Sequence, residues 1–571
     1  DTRPVWSADG SKLAFVSDRN NRNDDIWFVW LNKKDWEKTK QDWTESDDEP
    51  KKEKKKKKDD DDEKEKKTKT KEIKIDTDRI WERLAQVTSM AGDETSPAFS
   101  KDGKTIFFVT SEPATKGRDL YKIKFDGTDI KRITKGGKNP FALSSADKGK
   151  YLYMLTKGGK LSRLKDGSDK LESVAFSAKM TIDFNAELNQ MFEEAWRTLR
   201  DGFYDPKFHG QDWSKLKEKY KPMALKASTK RDFRDMFNEM LGQVNASHMG
   251  LYGSDRAKTQ KETTGLLGVE IKPLDDGISI VRVIPKSPAD RDTSKLNTGD
   301  KIVSVNGTPV SVKNNFYAPL VNSAGERVLL KVKSKDGAER TVVIRPASSL
   351  ASQLYDEWVE NERKLTEEYS GGKLGYLHIK AMGWTSFERF ERELAAAGYG
   401  KDGIVIDVRY NGGGWTTDYL MTVLNYKQHA YTIPRGAAKD LQKDHLKFRD
   451  YYPFAERLPY AVWTKPSVAM CNESSYSNAE IFSHAYKTLG IGKLVGVPTF
   501  GAVISTGGQG LIDGSYVRLP FRGWFVKATD ENMEFGPAVP QIIVENAPDS
   551  KAKGEDEQLK RAVEELLKEL K

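Results

Sequence analysis

Ser467-Val468-Ala469-Met470-Cys471, continuing as Asn472-Glu473-Ser474-Ser475-Tyr476-Ser477-Asn478-Ala479-Glu480, is the stretch on which the reading of this 571-residue chain turns. Its first five residues form a short, largely apolar run of strand length, the pattern of a strand buried on both faces. A polar turn of small residues follows. Ile481, Phe482, Ala485, Tyr486 and Leu489 then recur at helical spacing. The unit is strand, turn, helix. Ser477-x-x-Glu480 reads first as a capping box, which satisfies the leading amides of a helix. A serine on such a turn also sets its hydroxyl beside free amide donors, and it becomes a nucleophile only if a base stands next to it.

Upstream, Leu374-Gly375-Tyr376-Leu377-His378-Ile379 and Gly403-Ile404-Val405-Ile406-Asp407-Val408 are further buried strands. Between them lies a helix carrying Phe387, Phe390, Leu394 and Ala395. The second strand runs into Arg409-Tyr410-Asn411-Gly412-Gly413-Gly414. Such a glycine run can bring backbone N–H groups to an anionic centre. It is not a phosphate loop, because no Gly-Lys-Ser/Thr follows. Residues 350–571 therefore read as an α/β domain closed by a C-terminal helix.

Residues 264–346 read as short strands, with Ser287-Pro288-Ala289 and Leu296-Asn297-Thr298-Gly299-Asp300 between them. Their order resembles a PDZ domain, in which a loop like Gly265-Leu266-Leu267-Gly268 binds a peptide carboxylate. Residues 185–260 read as helical. Leu188, Met191, Phe192, Ala195, Trp196 and Leu199 form one apolar face, and Phe233, Met236, Phe237, Met240 and Leu241 another. This domain ends in Asn245-Ala246-Ser247-His248.

Residues 1–180 repeat themselves. Pro4-Val5-Trp6-Ser7-Ala8-Asp9-Gly10 and Pro97-Ala98-Phe99-Ser100-Lys101-Asp102-Gly103 each precede a strand, and Phe141 to Asp147 is a looser third copy. Asp25-Ile26-Trp27 and Asp119-Leu120-Tyr121 open a further strand in the first two. The repeats resemble blades of Tol-type and tricorn-type β-propellers. Three blades are fewer than closed propellers carry, so the chain is expected to be the C-terminal part of a longer protein. An insertion at about 45–70 interrupts the first blade. From Glu45 to Lys69 it holds 11 acidic and 11 basic residues and no large apolar one, the composition of a solvated, disordered and dispensable loop.

Composition narrows the class. A net charge of +9 from 95 basic and 86 acidic residues does not by itself suggest a nucleic-acid partner, and none is expected. No 18-residue apolar run is present, which excludes a transmembrane helix. Cys471 alone cannot form an intrachain disulfide or a multi-cysteine metal site. These features fit a soluble protein of the cytoplasm or periplasm without deciding between them, and a removed signal peptide is compatible with the start.

The order of helical domain, PDZ, Asn-Gly-Gly-Gly after a strand, and Ser-x-x-Glu opening a helix resembles the tail-specific or C-terminal processing serine proteases. With propeller blades in front, it resembles their tricorn branch. The resemblance implies a multidomain α+β chain with a crotonase/ClpP-like α/β core. It also implies a homo-oligomer, peptide or unfolded-protein substrates, no metal and no organic cofactor, with the propeller as a filter or feed for peptides. It points to Ser477 as nucleophile, rather than Ser474 or Ser475, with His248 as base. Ser–Lys members carry their lysine after a run like Gly496-Val497-Pro498-Thr499-Phe500-Gly501, and here Ala502 follows. In the tricorn branch the base follows a serine, here Ser247, and a glutamate near the C-terminus supports it. Glu534 falls at that place, with Glu531 the alternative. Pro537, Ala538 and Gln541 depart from the branch pattern there. Asn478 and a glycine of Gly412, Gly413 and Gly414 are the implied oxyanion donors. His209, His378, His429, His445 and His484 sit in no matching motif. Two rivals stand beside this reading: an inactive propeller–PDZ peptide-binding scaffold, and an apolar-ligand-binding relative of the same fold.

Overall fold

The computed structural model describes residues 1–19, 23–39, 42–43, 75–90, 92–111, 117–146, 149–253, 259–427, 431–433, 435–449 and 462–571. The charged Glu45–Lys69 segment and His429 lie outside the described residues. Two compact units result, Asp1–Thr181 and Ile182–Lys571.

The first unit contains three four-stranded antiparallel sheets, each with its strands in sequence order. The repeated Ser-x-Asp-Gly turn explains the first hairpins of two of them. Ser7 Oγ donates to Asp9 and Ser100 Oγ to Asp102, while Gly10 and Gly103 take φ of 73° and 69°. Alternation along Thr105–Thr110 then stacks the sheets. Ile106 and Phe108 pack with Ala14, Val16 and Phe28 of the first blade, while Phe107 and Val109 pack with Leu152 and Met154 of the third. The fourth strands, Leu84–Gln86, Lys131–Arg132 and Leu171–Ser173, are two or three residues long and carry no apolar alternation.

In the second unit a five-stranded parallel sheet runs in the order Leu374–His378, Gly403–Asp407, Ser467–Cys471, Lys493–Gly496, Ile542–Ile543. Both faces are covered. Ile404, Ile406, Ala469 and Cys471 meet Phe387, Phe390, Phe482 and Tyr486 on one side. Val405, Val468 and Met470 meet Val359 and the Leu559, Val563 and Leu566 stripe of helix Glu557–Glu569 on the other. The segment that resembles a PDZ domain forms an antiparallel sheet ordered Val269–Leu274, Gly277–Val283, Lys301–Val305, Val328–Lys333, Glu339–Ile344.

The helical domain is completed from a distance. Helices Phe184–Gly202, Trp213–Ala224 and Lys230–Gly242 share one core with Leu511 and Val517, which belong to the hairpin of Ile504–Gly510 and Tyr516–Gly523. Tyr516–Gly523 also pairs with the short strand Gly250–Tyr252, which starts two residues after His248. A hairpin from the α/β part of the sequence thereby fixes the segment that carries the histidine.

Candidate active site

The glycine run and Ser477 follow neighbouring parallel strands, so their loops meet at the carboxyl edge of the sheet. The chain turns sharply into helix Asn478–Thr488 with Ser477 at φ 58° and ψ −118°, a backbone conformation costly for any residue with a Cβ. Glu480 holds that turn. Its Oε1 accepts the Ser477 amide at 2.9 Å and the Ala502 amide at 3.0 Å. Its Oε2 accepts the Thr499 hydroxyl at 2.8 Å and the Gly501 amide. Burial raises the Glu480 carboxyl pKa, while these bonds pull it back toward the carboxylate.

Ser477 Oγ reaches His248 Nε2 at 3.0 Å, across 229 residues of sequence. On the far side of the ring, Nδ1 lies 2.6 Å from Ser247 Oγ. Ser247 then meets Glu534 twice, from Oγ to Oε2 at 2.9 Å and from its amide to Oε1 at 2.6 Å. An ionised Glu534 can only accept, and this orients the whole chain of bonds. Ser247 O–H donates to Glu534, His248 Nδ1–H donates to Ser247 Oγ, and Nε2 is left to accept from Ser477. Tyr476 was not anticipated from sequence. Its ring stacks on His248 at 4.7 Å, and its hydroxyl lies 3.1 Å from Nδ1. Glu531 is exposed and holds the Thr529 hydroxyl, away from Ser247.

Burial pushes the His248 pKa down from 6.5 to about 4, with the positive charge of Arg518 acting in the same direction. The ring is therefore neutral near pH 7, the state a base requires. Glu534 is buried, which raises its pKa against the bonds from Ser247.

Oxyanion donors follow from which amides are already used. In the first turn of the Ser477 helix, Ala479 donates to Tyr476 O, and Glu480 and Ile481 donate to Ser477 O. Among the described residues this leaves Asn478 N–H without an acceptor, beside Ser477 Oγ. Of the three glycines, Gly413 lies closest to Ser477. A Cβ there would stand 2.6 Å from Tyr476 O and 2.7 Å from Ser477 Cβ. Its own amide donates to Asn411 Oδ1 at 2.9 Å, while Asn411 Nδ2 donates to Ile379 O at 2.7 Å. Gly414 packs on the Met382 backbone, and a Cβ on Gly412 would meet open space.

A buried charge cluster anchors this loop. Arg409 bonds Asp407 and Asp556, each at 2.7 Å, and lies 3.7 Å from Glu362. His378 Nε2 donates to Arg409 O at 2.8 Å and Nδ1 accepts from Tyr355. Sequence reading missed Arg409, whose only signal was a charge placed directly after a buried strand. In the PDZ domain the Gly265 and Leu266 amides donate to the Leu320 and Ala347 carbonyls, so a carboxylate at that loop would have only Leu267 and Gly268 N–H to meet. Among the described residues no group of histidine, cysteine and carboxylate side chains is arranged to hold a metal. No helix of the described residues is long and apolar enough to cross a membrane.

Comparison with known proteins agrees with this anatomy. Residues 184–242 match the tricorn protease C1 domain, 265–349 the tricorn protease PDZ domain, and 373–543 peptidase family S41. The tricorn protease of Thermoplasma volcanium is 25% identical over 464 residues, covering 80% of this chain and 42% of that protein. Tricorn protease homolog 1 of Streptomyces coelicolor is 31% identical over 404 residues, covering 67% of this chain and 35% of that protein. This chain thus spans less than half the length of either relative. The crystal structure of the tricorn protease superposes with a TM-score of 0.77 at 21% identity, over 100% of this chain and 55% of that one. That likeness shows a shared multidomain α+β fold. With C1, PDZ and peptidase domains in this order, the chain is a tricorn-type member of peptidase family S41.

Proposed function

We propose that this chain hydrolyses peptides or unfolded polypeptides through an acyl-enzyme formed on Ser477. The continuous relay from Ser477 through His248 and Ser247 to Glu534 carries the reading. Ser477 Oγ attacks the scissile carbonyl while its proton passes to His248 Nε2. The imidazolium that forms is stabilised through Nδ1–H to Ser247, whose hydroxyl is held by the Glu534 carboxylate. The Asn478 amide and a glycine amide of 412–414 receive the developing oxyanion. Nε2–H then protonates the leaving amine, and a water activated by the same nitrogen releases the acyl group. Ser247 and Glu534 are positioning residues, since each acts through His248. The family resemblance extends the proposal to a homo-oligomer, which sedimentation of the chain tests.

A fluorophosphonate probe should label Ser477, and Ser477→Ala should abolish both labelling and cleavage of a fluorogenic peptide. Activity persisting in Ser477→Ala, or moving to Ser474 or Ser475, sinks the assignment. A chain that folds but neither labels nor cleaves would favour the scaffold.

A further inference from the structure

Arg518 carries a charge that the relay does not use. It lies on strand Tyr516–Gly523 with Gly250 as cross-strand partner on one side and Gly508 on the other. Its neighbour Val517 is buried in the helical core, so Arg518 projects from the opposite face of that hairpin sheet. Neither glycine places a side chain directly beside it. The rings of Tyr252 and Tyr516 lean over those glycines instead. The half-buried guanidinium donates from Nε and Nη2 to one hydroxyl, Thr506 Oγ1, at 3.3 and 3.1 Å. Among the described residues it has no carboxylate partner. The carboxylates of the site are engaged elsewhere, Glu534 by Ser247 and Glu480 by the Ser477 turn.

Gly250, its partner across the strand, stands two residues beyond His248, which sets Arg518 beside the segment that carries the base, where its charge opposes a positive charge on the ring. Left alone this is unfavourable for catalysis, because His248 must become a cation in the transition state. A guanidinium offers five N–H donors in a planar fork that fits a carboxylate, and one hydroxyl acceptor leaves most of them open. An anion bound there would both fill the fork and cancel the opposing field.

We propose that Arg518 is a specificity-determining residue that binds a carboxylate of the substrate, either its C-terminal carboxylate or an acidic side chain near the scissile bond. This rests on the serine-peptidase reading above. A peptide that brings the carboxylate supplies the missing counter-charge, so recognition and activation of the base are coupled.

Three fluorogenic peptides of one core sequence test it: neutral and amidated, neutral with a free C-terminus, and amidated with an aspartate beside the cleavage site. Wild-type kcat/KM should favour one carboxylate peptide over the neutral one by about tenfold, and the favoured peptide identifies the source. Arg518→Gln should collapse that ratio to within about twofold of unity, and about 0.5 M salt should reduce it in the wild type. Arg518→Lys keeps the charge without the fork and should hold an intermediate ratio. It serves as the test if Arg518→Gln does not accumulate as folded protein. A wild-type ratio of one, or an undiminished ratio in either variant, overturns the role of Arg518. Failure of Ser477 to label in the wild type would instead sink the peptidase reading.

Discussion

Acidification should act on this protein through His248, on rate and on stability together. The ring is buried with its pKa pushed to about 4, against 6.5 in an exposed histidine. A depression of that size corresponds to about 3 kcal/mol between folded and unfolded chains. The sign follows from which state takes up the proton. Between pH 6.5 and about 4 an unfolded chain protonates this histidine while the native chain does not. Native stability therefore falls as pH falls through that window, and the penalty reaches its full size of about 3 kcal/mol below the folded pKa. For catalysis, kcat/KM should stay level from neutral pH downward and drop with a midpoint well under 6.5, because the proposed mechanism takes the neutral imidazole as its base. The assay is a pH series of kcat/KM below KM, paired with urea unfolding of the wild type and of His248→Gln. The variant, which has no ring to protonate, should lose about 3 kcal/mol less between pH 7 and pH 4 than the wild type. An acid limb at or above 6.5, or one near pH 9 reporting a lysine, would refute the reasoning. So would equal pH dependence of stability in the two proteins.

Other substitutions probe the rest of the site. Glu534→Gln keeps the shape but removes the charge behind Ser247, and kcat should fall by about 10²–10³ with KM little changed, measured on the same fluorogenic peptide. Gly413→Ala forces a Cβ to within 2.7 Å of Ser477 Cβ at a φ of 88°. Thermal unfolding should show a loss of about 1–3 kcal/mol, with hydrolysis reduced further than that loss explains. Glu480→Gln turns one acceptor into a donor facing amide N–H groups and should cost about 1–3 kcal/mol in urea unfolding. Arg409→Met leaves Asp407 and Asp556 buried without their cation, and the same measurement should register about 3–5 kcal/mol.

What could be read from sequence followed from local periodicity. The buried strands, the strand–turn–helix at Ser477 and the Asp-Gly hairpins all sit within windows of about twenty residues. The short fourth blade strands had no such pattern, because edge strands of two or three residues are fixed by their neighbours rather than by alternation. Ser247, His248 and Glu534 were reached by motif comparison alone, since nothing local relates residues 229 and 287 positions apart. The roles of Tyr476, Arg409 and Arg518 were invisible for the same reason. Each matters through what a distant segment places beside it. The hairpin that finishes the helical core was equally hidden, as Leu511 and Val517 look like residues of any exposed hairpin until the core they enter is known.

That hairpin also governs when the protein acquires its chemistry. The ribosome delivers His248 long before Ser477, and Ser477 before the hairpin strands and Glu534. A nascent chain that has emerged only through the PDZ domain holds a serine and a histidine on a segment whose strand partner, Tyr516–Gly523, does not yet exist. It has neither Ser477 nor the strand that fixes the segment after His248. Contacts of such long sequence separation form late in folding. The relay that the proposed hydrolysis needs therefore cannot assemble until Tyr516–Gly523 and Glu534 have both been made, however early His248 appears.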